Sequence, residues 1–125
     1  VDAVDRGSVP FGEGGAAVER MLAEYDRRRR LIVDGLNALG LETFEPRGAF
    51  YAFPRIGSTG LTDEIFTERL LNEERVAVVP GSAFGPSGVG HVRMCYATSY
   101  DRLEEALRRI GRFVERVRDE AATTV

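Results

Sequence analysis

The residues best suited to chemistry lie in one segment, residues 76–97, which reads VAVVPGSAFGPSGVGHVRMCYA. It contains a short apolar run, a glycine-rich loop and a second apolar run that carries one arginine, Arg93. If the second run is a strand, its period of two places Arg93 on the face opposite Val92 and Met94. A guanidinium held on a strand beside a loop can bind a carboxylate through two parallel N–H···O hydrogen bonds. The segment therefore indicates a carboxylate-binding site.

Arg93 could instead have a structural role and pair with an acidic side chain of a neighbouring element. The other polar or glycine residues of this segment are also interpreted as structural. His91 is the only histidine and has no cluster of metal ligands, so we interpret it as a strand-end residue. Cys95, the only cysteine, lies two residues after Arg93 and therefore on the same face of the predicted strand. It is interpreted as a small packed residue. The glycines of residues 80–90 precede no helix directly, so they predict a mobile loop rather than a nucleotide-binding motif.

Composition argues against several classes of partner. The chain has 125 residues, of which 43% are hydrophobic and 30% charged, as expected of one domain with its own core. Its net charge of −3 gives no electrostatic reason to expect nucleic acid or a membrane surface as a partner. The arginine run Arg27–Arg30 has acidic residues within helical reach and is interpreted as an ion-paired helix face. A single cysteine and the lack of a bilayer-length apolar stretch predict a cytoplasmic protein.

The basic residues restrict the chemistry that the chain can carry out. All 17 of them are arginine, so the chain contains no lysine. A guanidinium stays protonated in proteins and is a poor amine nucleophile. Chemistry that requires a lysine Schiff base therefore cannot be performed by this chain alone.

Hydrophobic periodicity predicts three helices. Residues 1–15 are glycine-rich and weakly patterned, and we expect a flexible lead-in there. Apolar residues at helical spacing predict a long helix over residues 16–39 and a final helix over 101–118, followed by a frayed tail at 119–125. A shorter helix is predicted to begin after the N-cap Thr62 and to run to about residue 73.

Four short strands complete the pattern, at residues 41–44, 49–53, 76–79 and 91–97. The order α-β-β-α-β-β-α predicts an α+β fold, a two-layer sandwich in which helices cover a small mixed or antiparallel sheet. One domain over residues 16–118 accounts for all of these elements.

Three sequence blocks, in order and at suitable separations, resemble the C-terminal small domain of class I/II pyridoxal-phosphate-dependent aminotransferases of fold-type I. They are PRGAFYAFP at residues 46–54, VAVVPGSAFG at 76–85 and GHVRMCYAT at 90–98, the last followed by an amphipathic helix. The resemblance covers residues 16–118. It is strongest to the branch that contains bacterial and archaeal aspartate aminotransferases.

The resemblance implies roles for three residues. In the family, the arginine at the position of Arg93 binds the α-carboxylate of the amino-acid substrate. Phe84 lies in a loop that resembles one bordering the active-site entrance, and Tyr51 lies in a strand that resembles one near that entrance. Both are candidate substrate-binding residues, although Tyr51 is also interpreted as a sheet and core residue. No catalytic, cofactor-binding or metal-ligating residue is assigned to this chain.

The resemblance also implies what the rest of an enzyme would provide. In the family, a large domain supplies the Schiff-base lysine and most contacts to pyridoxal 5′-phosphate, and the complete enzyme is a homodimer. It exchanges an amino group between an amino acid and a 2-oxo acid. We therefore expect this chain to be the substrate-closing small domain, catalytically incomplete alone. The alternatives are a stand-alone amino-acid-binding or protein-interaction module derived from that domain, and a truncated reading frame without independent function.

Overall fold

The computed structural model describes residues 11–44 and 50–123, with side chains from Gly15 onward. Its helices and strands follow in the order α1 (Phe11–Ala38), β1 (Tyr51–Ala52), α2 (Asp63–Glu74), β2 (Val79–Pro80), β3 (Val92–Cys95) and α3 (Tyr100–Thr123). The three strands form an antiparallel sheet in the order β1-β3-β2. The predicted α+β class is confirmed, with β3 at the centre of a small sheet.

Both long helices extend beyond the predicted boundaries. α1 begins at Phe11, so residues 11–15 are helical although we expected them in the lead-in, and residues 1–10 lie outside the described chain. α3 continues to Thr123, so most of the expected frayed tail is helical. Residues 118–123 of α3 are exposed, and a helical segment that buries no face gives no periodic signal. The C-terminal boundary of α3 was underestimated for this reason.

The sheet is smaller than predicted. Residues 41–44 form no strand, and the side-chain amide of Asn37 supplies hydrogen bonds of the kind that a neighbouring strand would provide. It accepts a hydrogen bond from the backbone N–H of Thr43 at 2.8 Å and donates one to the Thr43 carbonyl at 2.9 Å. Likewise, residues 76–78 lead into β2 without pairing, so β2 consists of only two residues.

The core lies between the helices and one face of the sheet. Phe66 of α2 and Phe113 of α3 meet edge to face, with ring centroids 5.3 Å apart, and both are fully buried. β3 contributes Val92 and Met94 from its inner face. This confirms the predicted alternation of that strand.

A buried carboxylate links the end of α2 to α3. Glu74 is only 5% exposed, and its oxygens lie 2.6 Å from Arg112 and 3.0 Å from Arg116. Arg109 also donates to the Glu74 backbone carbonyl at 3.1 Å. The hydrogen bonds from Arg112, reinforced by those from Arg116, outweigh burial and lower the pKa of the Glu74 carboxyl.

Because the Glu74 carboxylate is ion-paired, we expect the stability of the folded chain to fall at acidic pH. A group with a lowered pKa in the folded state contributes stability above its unfolded pKa, and that contribution is lost as the pH falls through the folded pKa. We expect Glu74→Gln to lower the free energy of unfolding by about 1 kcal/mol at pH 7, because glutamine keeps an acceptor but loses the charge. The difference in melting temperature between wild type and variant should shrink below about pH 4.5, the ordinary pKa of glutamate. Circular dichroism melts from pH 3 to pH 7 measure this, and a constant difference would contradict it.

The arginine run of α1, Arg27–Arg30, is ion-paired as predicted. Glu24 pairs with the first two arginines of the run, and Asp26 pairs with the last two. The positive charge of this helix face is therefore balanced locally. Within the described residues, no helix is both long enough and apolar enough to cross a bilayer.

Candidate functional site

Arg93 occupies the centre of the sheet, on the face that points away from the core. Its backbone pairs with Val79 of β2, while Val92 and Met94 on either side of it are buried. The predicted orientation of Arg93 is thus confirmed. Cys95 shares this outer face and is exposed rather than packed, because the alternation that exposes Arg93 also exposes the residue two positions later.

Two aromatic rings contact the Arg93 guanidinium. Its central carbon lies 4.3 Å from the ring centroid of Tyr51 and 4.6 Å from that of Phe84. Both distances are well within the range of a cation–π interaction. Tyr51 comes from β1 and pairs with Cys95, whereas Phe84 comes from the loop between β2 and β3. The interpretation of Tyr51 as a sheet residue is confirmed, but Tyr51 is only half-buried on the outer face and is not a core residue. The structure therefore brings together the three residues that the sequence analysis proposed as substrate-binding residues.

The charge of Arg93 is not neutralised within the described part of the chain. Arg93 forms no salt bridge with any side chain there, and its contacts to Tyr51 and Phe84 are to ring faces. Ring faces leave the in-plane N–H donors of a guanidinium available, and these donors match the two oxygens of a carboxylate. This arrangement disfavours the alternative of a purely structural ion pair.

The loop between β2 and β3 is built from two 3₁₀ turns, Gly81–Phe84 and Pro86–Gly88. A Cβ atom on Gly81 would collide with the carbonyl oxygen of Gly88, and one on Gly88 would collide with that of Gly81. The Gly81 N–H also donates to the carbonyl of His91 at 2.7 Å. We predicted that the loop glycines provide mobility, but these two serve close backbone packing, which no side chain would permit.

A buried aspartate that sequence reasoning did not select holds this loop. Asp63, the first residue of α2, is 4% exposed, and its Oδ2 accepts a hydrogen bond from the backbone N–H of Ser82 at 2.7 Å. Burial alone would raise the pKa of Asp63, but the hydrogen bonds from Ser82, together with those from the backbone N–H groups of Asp63 and Glu64, outweigh burial and lower that pKa. The sequence signal was ambiguous, since an acidic residue after the N-cap Thr62 is also what a helix N-terminus favours.

An apolar cleft adjoins the arginine. Phe53 and Phe84 lie edge to face with centroids 6.4 Å apart, and each is about half exposed. Together with His91 and the loop residues Gly81, Ser87 and Gly88 they line a cleft of about 290 Å³. Because Phe84 contacts both the cleft and Arg93, the site combines one carboxylate-binding group with an aromatic wall. Phe53 was not predicted here, although its alternation with Tyr51 places both on the outer face.

Known proteins resemble this chain in sequence. The family model for aminotransferase class I and II matches residues 8–110. The aspartate aminotransferase of Pyrococcus abyssi is 60% identical over 94 residues, which are 75% of this chain and 24% of that protein. The aromatic-amino-acid aminotransferase 2 of Thermococcus litoralis is 52% identical over 99 residues, which are 79% of this chain and 25% of that protein.

Solved structures also share the fold. The aromatic aminotransferase from Pyrococcus horikoshii matches with a TM-score of 0.77 and 56% sequence identity, over 83% of this chain and 28% of that one. The aspartate aminotransferase from Thermotoga maritima matches with a TM-score of 0.69 and 42% identity, over 78% of this chain and 24% of that one. The chain thus spans about a quarter of the length of these relatives.

Proposed function

Because the chain belongs to the class I and II aminotransferases, we propose that it is the small, substrate-closing domain of such an enzyme. The complete enzyme would transfer an amino group between an amino acid and a 2-oxo acid, as a cytoplasmic homodimer. The observation that carries the proposal is the placement of Arg93, which contacts two aromatic rings and has no ion-pair partner among the described residues.

The family implies pyridoxal 5′-phosphate in the complete enzyme, where it acts as an electron sink for the amino-acid carbanion. The residues of this chain do not fit that cofactor, since a Schiff base needs a lysine and the chain has none. We therefore assign no catalytic step to this chain. It is catalytically incomplete without the large domain, and its own contribution is to bind and orient the substrate.

Arg93 is suited to orienting a substrate carboxylate. Its charge is fixed because a guanidinium does not lose its proton in proteins. Two parallel hydrogen bonds to one carboxylate define a plane as well as a position, and such alignment accelerates a reaction by holding the reacting groups in place. Phe84 beside Arg93 would shield the bound carboxylate from water and so strengthen these hydrogen bonds.

The exposed apolar side chains of α1 support a missing large domain as the principal partner. Val18, Met21 and Leu22 lie on the N-terminal half of this helix, and each is about half exposed. A contiguous apolar stripe of this kind is typical of a surface that another part of a protein covers. In the aspartate aminotransferase of Pyrococcus abyssi, which is about three times as long as this chain, further polypeptide is available to cover such a surface.

The proposal predicts that Arg93→Leu weakens substrate binding. The test enzyme is a chimera in which this chain replaces the matching quarter of the aspartate aminotransferase of Pyrococcus abyssi. We expect the Michaelis constant for the amino donor to rise roughly 10- to 100-fold, the effect of losing a charge-assisted bidentate pair. Steady-state kinetics with varied aspartate measure it.

Arg93→Lys is the matched control. It keeps the charge but loses the planar pair of donors, so its Michaelis constant should lie between those of wild type and Arg93→Leu. An unchanged Michaelis constant in Arg93→Leu would refute the role of Arg93. A chimera that folds and takes up pyridoxal 5′-phosphate but shows no transaminase activity with the wild-type chain would refute the proposed function.

Calorimetry on the isolated chain distinguishes the small-domain proposal from a stand-alone binding module. An isolated small domain should release no measurable heat with aspartate or glutamate, because one guanidinium in water binds a carboxylate only weakly. A saturable heat with either amino acid that disappears in Arg93→Leu would favour the binding module instead.

A further inference from the structure

We propose that Asp63 is a positioning residue for Arg93 and acts through the loop that carries Phe84. The consequence for substrate binding rests on the proposed function. The positioning itself rests only on contacts within this chain. It involves four residues from three separate parts of the chain: Asp63, Ser82, Phe84 and Arg93.

The first step joins α2 to the loop. The Asp63 carboxylate is almost completely buried and accepts the Ser82 N–H at 2.7 Å. It is not needed as the helix cap, because the Thr62 hydroxyl already caps α2 by accepting the N–H of Ile65 at 3.2 Å. A buried charge is costly unless it is hydrogen-bonded, so the bond to Ser82 holds the loop firmly against α2.

The second step leads from Ser82 to Phe84 within a single 3₁₀ turn. The turn begins at Gly81, whose backbone is packed against that of Gly88. It closes with the Gly85 N–H donating to the Ser82 carbonyl at 3.3 Å. Phe84 is thus anchored on both sides, and its ring position depends on where Ser82 is held.

The third step leads from Phe84 to Arg93. Of the two rings that contact the guanidinium, that of Tyr51 is held by strand pairing, whereas that of Phe84 belongs to the loop. Phe84 is 49% exposed and has little core packing to hold it without the anchor at Ser82. Removing the Asp63 carboxylate therefore releases one of the two aromatic contacts that orient Arg93.

Nuclear magnetic resonance of the 125-residue chain with labelled arginine tests the positioning directly. The Arg93 Nε–Hε resonance reports ring currents from Tyr51 and Phe84. We expect Asp63→Ala to move this resonance toward that of an exposed arginine. We expect Asp63→Asn to move it less, because the asparagine carbonyl can still accept the Ser82 N–H.

Two controls separate positioning from general loss of structure. Glu74→Gln removes another buried carboxylate of α2, which lies at the opposite end of that helix and pairs with Arg112 and Arg116 of α3 rather than with the loop. It should leave the Arg93 resonance unchanged. In a Phe84→Ala background, Asp63→Ala should not move the Arg93 resonance further, because the ring through which Asp63 is proposed to act is already absent. Phe84 is half exposed, so its removal should leave the core intact.

An unmoved Arg93 resonance in Asp63→Ala would overturn the proposal, as would an equal movement in Glu74→Gln or full additivity with Phe84→Ala. In the chimera, Asp63→Ala should raise the Michaelis constant for aspartate about tenfold, a loss of about 1.4 kcal/mol, and more than it lowers kcat. If the resonance moves as expected but the Michaelis constant does not, the positioning stands. The proposed consequence for substrate binding then fails, whereas the role of Arg93 itself is decided by Arg93→Leu.

Discussion

Replacing Phe113 with alanine should lower the free energy of unfolding by about 3–5 kcal/mol, the usual cost of removing a fully buried phenylalanine. Phe113 is 0% exposed, and its ring meets that of Phe66 edge to face, with the centroids 5.3 Å apart. The variant loses the transfer free energy of the ring, and it also leaves a cavity between α2 and α3 that the rigid helices cannot close. Chemical denaturation followed by circular dichroism measures the loss.

Phe44→Ala is the matched control for this prediction, because Phe44 is 80% exposed. Its removal should change the free energy of unfolding by no more than about 0.5 kcal/mol, as for most surface substitutions. Equal losses in the Phe113 and Phe44 variants would contradict the placement of the core between α2 and α3.

Gly81→Ala should displace the loop and lower the free energy of unfolding by about 3 kcal/mol, near the upper end of the cost of overpacking. The added Cβ would collide with the Gly88 carbonyl oxygen and approach that of His91 at 2.6 Å. Both obstacles are backbone atoms, which cannot rotate away as a side chain can. The loop must therefore move as a whole and carry Phe84 with it, so we also expect the Arg93 resonance to shift.

Gly57→Ala provides the control for the loop prediction. A Cβ on Gly57 would meet no atom within 4 Å. Its substitution should leave both the free energy of unfolding and the Arg93 resonance close to those of wild type. A Gly81→Ala variant as stable as Gly57→Ala would show that the two backbone segments do not pack as closely as described.

The ion pairs show which contacts can be predicted from local sequence and which cannot. The Arg27–Arg30 ion pairs could be predicted because their acidic partners lie three or four residues away on the same helix. The pairs of Glu74 with Arg112 and Arg116 span 38 and 42 residues. No spacing rule connects residues so distant, because their meeting depends on how α2 packs against α3.

The strands show a second limit of prediction from local sequence, because some predicted strands do not form. Alternation correctly placed Arg93 on the outer face, but it overestimated the sheet at residues 41–44 and 76–78. An apolar run reports that residues are buried or extended, whereas a strand also needs a partner for its backbone hydrogen bonds. For residues 41–44, a side chain, Asn37, supplies part of that pairing.

The amino-acid sequence alone determined the α+β class, the faces of α3 and β3, and the absence of lysine, because composition and side-chain periodicity are properties of local sequence. Three blocks of residues also sufficed to indicate the family. Only the tertiary structure decided that Phe84 and Tyr51 contact Arg93 and that Asp63 anchors the loop from 19 residues away. Those contacts depend on strand register and on the packing of α2, which are settled by the whole core rather than by any one segment.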